Sequence, residues 1–171
     1  IQIRTFRKAD GLIFLTDHAR GVVVRALKRH PGKTVIIPHG VHQRFACPPR
    51  GQLAISSYSI DRPFRILYVS KVYPYKHHGR VVEAVRQLRA RGVPVRLDLV
   101  GSAYPPTLKR LKQTLSRIDP AASYVRYVGE VSHAELPKQY CNTDLFVFAS
   151  SCETFGLIAA EAMSAGLPIG C

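Results

Sequence analysis

The chain alternates short apolar runs with amphipathic stretches almost from end to end, and this alternation limits the folds open to it. Gly11-Leu12-Ile13-Phe14-Leu15 reads as a buried strand. Asp17 then caps a helix to about Arg29, with Val22, Val23, Ala26 and Leu27 on one face. Thr34-Val35-Ile36-Ile37 is a second strand, stopped by Pro38. Further strands are expected at Phe64–Val69, Val95–Val100, Tyr124–Val128 and Leu145–Phe148, with a last one starting at Pro168. Between them lie a helix from about Gly79 to Arg91, one opened by Pro105-Pro106, a short one to about Tyr140 and one from about Phe155 to Ala165. Ser132-His133-Ala134-Glu135 reads as a capping box for the short helix. Strand, helix and strand in succession predict an α/β fold, a Rossmann-like parallel sheet covered on both faces.

The stretch from His39 to Arg62 interrupts the pattern. It carries Pro48, Pro49, Gly51 and Ser56-Ser57 without sustained periodicity, and reads as a linker or long loop. Residues 1–40 are too few for a whole α/β domain and read as the C-terminal tail of one. Residues 41–62 read as the linker, and 63–171 as most of a second domain. The chain opens on Ile1 rather than Met and closes within a strand-like run, so a fragment of a longer protein is expected.

With 46% hydrophobic and 21% charged residues, disorder, collagen and a disulfide-rich miniprotein are excluded. No apolar run approaches the ~18–20 residues that span a bilayer, and the first residues lack the order of a signal peptide. Lys and Arg number 25 against 11 Asp and Glu, a formal charge of +14. That excess suits a phosphate-bearing partner or, equally, a solvated basic surface. Cys47, Cys141, Cys152 and Cys171 show no CxxC or zinc spacing. They read as free thiols in a reducing cytoplasm.

Ligands of open parallel sheets bind beyond the carboxyl ends of the strands. After Phe64–Val69, the loop Ser70-Lys71-Val72-Tyr73-Pro74-Tyr75-Lys76-His77-His78-Gly79 sets two lysines five apart, ahead of a helix. Ammonium groups beside free helix amides suit an anion, though solvated loop lysines read the same way. No GxGxxG fingerprint follows this strand, and no GxxxxGK[ST] loop occurs anywhere. Gly101-Ser102-Ala103 is a small-residue turn with room for a ligand or an ordinary strand exit. Ser150-Ser151-Cys152-Glu153-Thr154-Phe155-Gly156-Leu157-Ile158-Ala159-Ala160-Glu161-Ala162 is more informative. Glu161 falls inside an apolar helix, where an ionised carboxylate is costly without a partner. Carboxylates accept hydrogen bonds from sugar hydroxyls, and amides of a helix start take phosphate. A sugar joined to a nucleoside through a diphosphate fits all of these. The alternative makes Glu153 an N-terminal helix charge and Glu161 the partner of a basic neighbour.

The order of these features resembles glycosyltransferase family 4, retaining nucleotide-sugar enzymes built from two Rossmann-like domains in the GT-B arrangement. Glu153-x7-Glu161, within Glu-Thr-Phe-Gly-Leu-Ile-Ala-Ala-Glu-Ala-Met-Ser-Ala-Gly-Leu-Pro, is similar to the family's signature segment. Lys71 and Lys76 match its basic pair, and Leu99-Val100-Gly101 and Val125-Arg126-Tyr127-Val128-Gly129 match two further landmarks. Ile36-Ile37-Pro38-His39-Gly40-Val41 resembles its crossing into the interdomain linker. The resemblance implies that residues 63–171 are an incomplete nucleotide-sugar donor-binding domain. Glu153 would then contact hydroxyls of the transferred sugar, and Lys76 would neutralise the departing diphosphate. Amides near Phe155, Gly156 and Leu157 would hold sugar and diphosphate, Glu161 would bind the ribose hydroxyls, and Tyr127, Val128 and Gly129 would lie near the base. Lys71 stands where many relatives have Arg, and a lysine there keeps the charge but loses bidentate geometry.

The resemblance implies no metal and no cofactor beyond the nucleotide-diphosphate sugar, which is the donor substrate. Neither carboxylate is assigned as a covalent nucleophile. The acceptor would be a glycan or lipid-linked molecule, and its binding site and a catalytic histidine would belong to residues preceding Ile1. His18 and His39 are left unassigned, and the chain by itself is expected to bind donor without turnover. Peripheral contact with an anionic membrane is compatible with the charge. A nucleic-acid-binding module is the competing class, but the basic residues are scattered from Arg4 and Lys8 to Lys109 and Lys112, so no nucleic-acid partner is expected.

Overall fold

The computed structural model describes residues 2–27, 32–48, 51 and 53–171. They form two compact units, residues 1–40 with 153–157, and residues 41–152 with 158–171.

In the first unit, α1 (Gln2–Lys8) precedes β1 (Gly11–Phe14), α2 (Asp17–Leu27) and β2 (Lys33–Ile36). The two strands pair in parallel, Gly11 opposite Lys33 and Phe14 opposite Ile36. Helix α1 was not foreseen. The expected end of α2 at Arg29 lies outside the described residues. Asp17 does not cap α2. The Thr16 hydroxyl accepts the Ala19 amide at 3.1 Å, and Asp17 pairs with Arg20 instead. Of the apolar face expected on α2, Leu27 is buried and Val22 is exposed.

The second unit holds a five-stranded sheet: β3 (Phe64–Val69), β4 (Val95–Val100), β5 (Val125–Gly129), β6 (Leu145–Val147) and β7 (Ile169–Gly170). Its spatial order is β5-β4-β3-β6-β7, with every pair parallel. Helices α3 (His78–Ala90), α4 (Pro105–Ile118), α5 (Leu136–Cys141) and α6 (Leu157–Ser164) connect the strands. The α/β fold read from the alternation is therefore present.

Successive residues of a strand face opposite sides, and β3 shows why its run is apolar from Ile66 to Val69. Ile66 and Tyr68 join Leu97, Leu99, Val81, Val82, Val85 and Leu111 in one core. Leu67 and Val69 join Val100, Phe146, Tyr140, Ala162 and Phe45 in the other. A parallel sheet buried on both faces needs this composition.

Two readings are corrected. Ser132 does not close a side-chain capping box, because α5 begins only at Leu136, with Pro137 in its first turn. The Ser132 carbonyl accepts the Glu135 and Leu136 amides, and the Glu135 carboxylate pairs with Lys138. The cysteines are not all free: Cys47 and Cys141, 94 residues apart, form a disulfide, while Cys152 and Cys171 are free and exposed. Sequence spacing carried no sign of this pair. It arises because Phe45, in the stretch read as linker, is buried and packs its ring edge against Tyr140, next to Cys141. Phe45 anchors that stretch to the second unit. The cysteines thus no longer argue for a reducing compartment.

Candidate functional site

Strand β3 is the first strand of its sheet, flanked by β4 on one side and β6 on the other. The connections leave β3 and β6 in opposite senses, and open parallel sheets bind ligands beyond the carboxyl ends of strands at such a switch. The loops leaving both strands meet there. The Ser151 amide donates to the Tyr75 carbonyl at 3.0 Å, and its hydroxyl lies 3.3 Å from the same oxygen.

The loop after β3 carries both expected lysines. Lys71 is exposed, with Nζ 5.1 Å from the centre of the Tyr73 ring. Lys76 is only 7% exposed, with Nζ 5.2 Å from the Tyr75 ring centre. Aromatic faces stabilise both cations. The backbone at Lys76 is fixed from below, where the buried Tyr68 hydroxyl donates to its carbonyl at 2.7 Å. Tyr68 stacks on His78, whose Nε2 lies 3.2 Å from the Ser70 hydroxyl. His78 is 3% exposed, and its Nδ1 has no hydrogen-bond partner among the described residues. Burial, then the nearby Lys76 charge, push its pKa down to about 4 against a weaker opposing bond at Ser70. His78 is thus a neutral brace under a cationic loop.

The loops after β3, β4 and β5 are stitched together. The Val72 amide donates to the Ser102 carbonyl at 2.8 Å, and the Tyr104 amide to the Val72 carbonyl at 3.1 Å. Tyr73 and Tyr104 stack at 5.3 Å. Gly101 has φ +140°, and a Cβ there would stand 2.3 Å from the Ser70 carbonyl oxygen. Only glycine lets β3 and β4 leave the sheet this close together. The Gly101 amide donates to the Gly129 carbonyl at 2.7 Å, and the Tyr127 hydroxyl to the Gly101 carbonyl at 2.9 Å. Tyr127, Val128 and Gly129 are half-buried at the same end of the sheet.

Glu161, in the second turn of α6, is 4% exposed. The buried Tyr140 hydroxyl donates to its Oε2 at 3.0 Å, and its Oε1 lies 3.8 Å from His133 Nε2. His133 contacts the Arg44 guanidinium. The partner a buried carboxylate needs is thus mainly a phenol, with a basic neighbour at longer range. Burial and the adjacent Glu161 charge push the Tyr140 phenol far up, so it stays a donor at ordinary pH.

Glu153, Phe155, Gly156 and Leu157 fall in the first unit. Glu153 is exposed. Phe155 stands edge-to-face with His39 at 5.4 Å, and the Thr16 hydroxyl lies 3.4 Å from the Thr154 carbonyl. Gly156 has φ +82°, a backbone conformation L residues rarely adopt. Lys71, Lys76, Tyr127, Val128, Gly129 and Glu161 fall in the second unit. Tyr140, Ser70 and His78 were not singled out from sequence. The need of Glu161 for a partner was readable, but the partner's identity was not.

Residues 63–169 match the family model of group 1 glycosyl transferases. The chain belongs to this family. It is 30% identical over 172 residues to D-inositol 3-phosphate glycosyltransferase 2 of Catenulispora acidiphila, an alignment covering 94% of this chain and 39% of that protein. It is 27% identical over 165 residues to the GtfA subunit of the UDP-N-acetylglucosamine–peptide N-acetylglucosaminyltransferase of Streptococcus pneumoniae, over 95% of this chain and 30% of that one. The chain thus spans 30–39% of the length of these curated relatives. The crystal structure of Anabaena Alr3699/HepE in complex with UDP and glucose superposes on 98% of this chain and 47% of that one, with a TM-score of 0.78 and 21% identity. That likeness is one of fold. Membership gives the strand exits of the second unit a family context: this group 1 glycosyl transferase chain carries its matched region on the five-stranded sheet.

Proposed function

We propose that this chain is the donor-binding part of a retaining glycosyltransferase that moves a sugar from a nucleoside-diphosphate sugar to an acceptor. The observation that carries the reading is a buried lysine and a buried glutamate on the elements that follow β3 and β6, the two strands at which the connections change sense. Lys76 is held by the Tyr68 contact to its carbonyl and the Tyr75 ring beside its ammonium. Glu161 is held by Tyr140.

In this reading the sugar–phosphate bond breaks with its electron pair passing to the diphosphate. Lys76 neutralises that charge as it develops, a role for a fixed cation in a water-poor site. Lys71 adds a second, more mobile positive charge. Glu161 accepts the ribose hydroxyls, and the backbone from Tyr127 to Gly129 faces the base. Glu153 and the amides of Phe155, Gly156 and Leu157 take the sugar-facing roles of the signature segment. Residues 1–40 are the tail of an N-terminal Rossmann-like domain and 41–62 the interdomain linker. Exposed Ile13, Val35 and Ile37 on the small sheet support this, because such apolar side chains mark a face that more of a domain covers.

The acceptor is a glycan or lipid-linked molecule, and the pathway one of surface-glycan or lipopolysaccharide synthesis. The chain alone binds donor without turning it over. Among the described residues no helix is long and apolar enough to cross a membrane. The charge of +14 suits contact with an anionic membrane face. The test is calorimetric titration of the chain with UDP, GDP and their sugar conjugates, with Glu161→Ala as control. Saturable binding to one nucleotide, lost in the variant, is expected. A folded chain and a folded full-length protein that both bind none would overturn the reading.

A further inference from the structure

Tyr140 is fully buried on the last turn of α5, and its ring is clamped rather than merely covered. Phe45 meets it edge-on at 5.6 Å, and Phe146 of β6 lies against it at 5.6 Å. The Cys47–Cys141 bridge ties the chain next to Phe45 to the residue after Tyr140. The hydroxyl is therefore fixed from three directions: the stretch after Val41, the sheet and the disulfide.

A phenol has one proton to donate. Two acceptors stand near it, Glu161 Oε2 at 3.0 Å and the Ile158 carbonyl at 3.4 Å. The carboxylate is both nearer and charged, and charge-assisted bonds are the stronger. The second carboxylate oxygen is treated differently. Oε1 faces His133 Nε2 at 3.8 Å, beyond hydrogen-bond range, and the His133 side chain is mostly exposed. One oxygen is thus engaged by the fold, and the other faces only the mostly exposed His133 side chain, with no hydrogen bond to it among the described residues.

We propose that Tyr140 is a positioning residue that holds the Glu161 carboxylate by Oε2, so that Oε1 is presented to the paired hydroxyls of a ligand ribose. This rests on the reading of Glu161 given above and deepens it. Without the hydroxyl, the carboxylate keeps its charge but is free to rotate about its last bond. It then meets the ribose in several orientations, so ribose recognition weakens while contacts to diphosphate and base do not.

Tyr140→Phe tests this, because the ring and its packing against Phe45 and Phe146 are kept. Wild type and variant are titrated calorimetrically with UDP and with 2′,3′-dideoxy-UDP, or with the guanosine pair if GDP is the nucleotide bound. The variant should bind UDP about tenfold more weakly, the worth of one charge-assisted hydrogen bond, and the dideoxy compound within about twofold of wild type. Equal weakening toward both ligands means that Tyr140 acts only through the fold, and no weakening toward either means that it does not act; both overturn the proposal. Wild type that fails to distinguish UDP from its dideoxy analogue overturns the ribose role of Glu161, and this inference with it. Binding of no nucleotide by wild type overturns the donor reading itself. If the variant does not fold, 3-fluorotyrosine placed at position 140 alone gives the same decision. Its fluorine resonance should shift on addition of UDP and stay put with the dideoxy compound, and an equal response to the two overturns the proposal.

Discussion

His78 gives a sharp prediction about pH. It is 3% exposed, stacked on Tyr68, and its Nδ1 has no acceptor among the described residues to receive a second proton. Burial first, and the Lys76 charge second, lower its pKa from 6.5 to about 4. A histidine depressed in the folded state contributes stability that is fully present above its unfolded pKa. The contribution fades as pH falls below about 6.5, where the unfolded chain takes up a proton that the native chain refuses. It is gone once pH passes the folded pKa near 4. Each pH unit in that window costs about 1.4 kcal/mol, so the whole span is worth about 3 kcal/mol and the fall from pH 6.5 to 5 about 2 kcal/mol. Urea unfolding at pH 7.5, 6, 5 and 4.5 measures the effect. Other groups titrate over the same range, so the decisive quantity is the difference between wild type and His78→Gln. The variant should be less stable than wild type at pH 7.5 yet lose about 2 kcal/mol less on going to pH 5. Parallel pH curves for the two proteins, or an imidazole at position 78 that titrates near 6.5 by NMR, would refute the burial argument.

Three further outcomes follow from the fold. Asp119 is 5% exposed and accepts the amides of Ser123, Tyr124 and Val125 and the Ser123 hydroxyl, all within 2.9 Å. Burial alone would raise its pKa, but these bonds outweigh it and hold the carboxyl below the ordinary range. Asp119→Ala should cost about 2–4 kcal/mol in urea unfolding at neutral pH. The deficit should shrink as pH falls through the folded pKa. Ellman titration of the denatured chain without reductant should find two thiols, rising to four after reduction, and Cys141→Ser should lose up to about 4 kcal/mol through the freed loop. Four reactive thiols without reductant would remove the bridge from the account. Gly101→Ala should lower stability by about 3 kcal/mol in thermal unfolding, because a methyl group meets the Ser70 backbone rather than a side chain that can yield.

Strand and helix positions in the second unit were legible because two-faced burial writes itself into sequence. Phe64–Val69 and Val95–Val100 are mostly apolar segments, broken only by Arg65, Arg96 and Asp98, with the bounds that the sheet shows, and Val81, Val82 and Val85 repeat at helical spacing on the buried face of α3. Helix ends were less legible. Thr16 and Asp17 are both good caps, and sequence alone did not separate the residue that caps from the one that begins the helix. Ser132 failed as a side-chain cap for a similar reason, since a turn preceded the helix. The stretch 41–62 looked like a featureless linker because its described anchors, Phe45, Cys47 and Tyr58, are scattered and follow no helical or strand period. The Cys47–Cys141 pair and the Tyr140–Glu161 bond join residues 94 and 21 apart, and only the finished fold brings them together. The lysine pair and the two signature glutamates were visible as residue types at set spacings. What holds Lys76 and Glu161 in place was not.

In the reading proposed above, a diphosphate rests against Lys76. The most direct measurement compares dissociation constants for a nucleoside diphosphate and for its nucleoside, UDP against uridine or GDP against guanosine, in wild type and in Lys76→Met. Wild type should favour the diphosphate by about tenfold to a hundredfold, the worth of one or two charge-assisted contacts. The variant should shrink that preference to a few-fold while binding the nucleoside as before. A preference unchanged in the variant would place the diphosphate elsewhere and contradict the account.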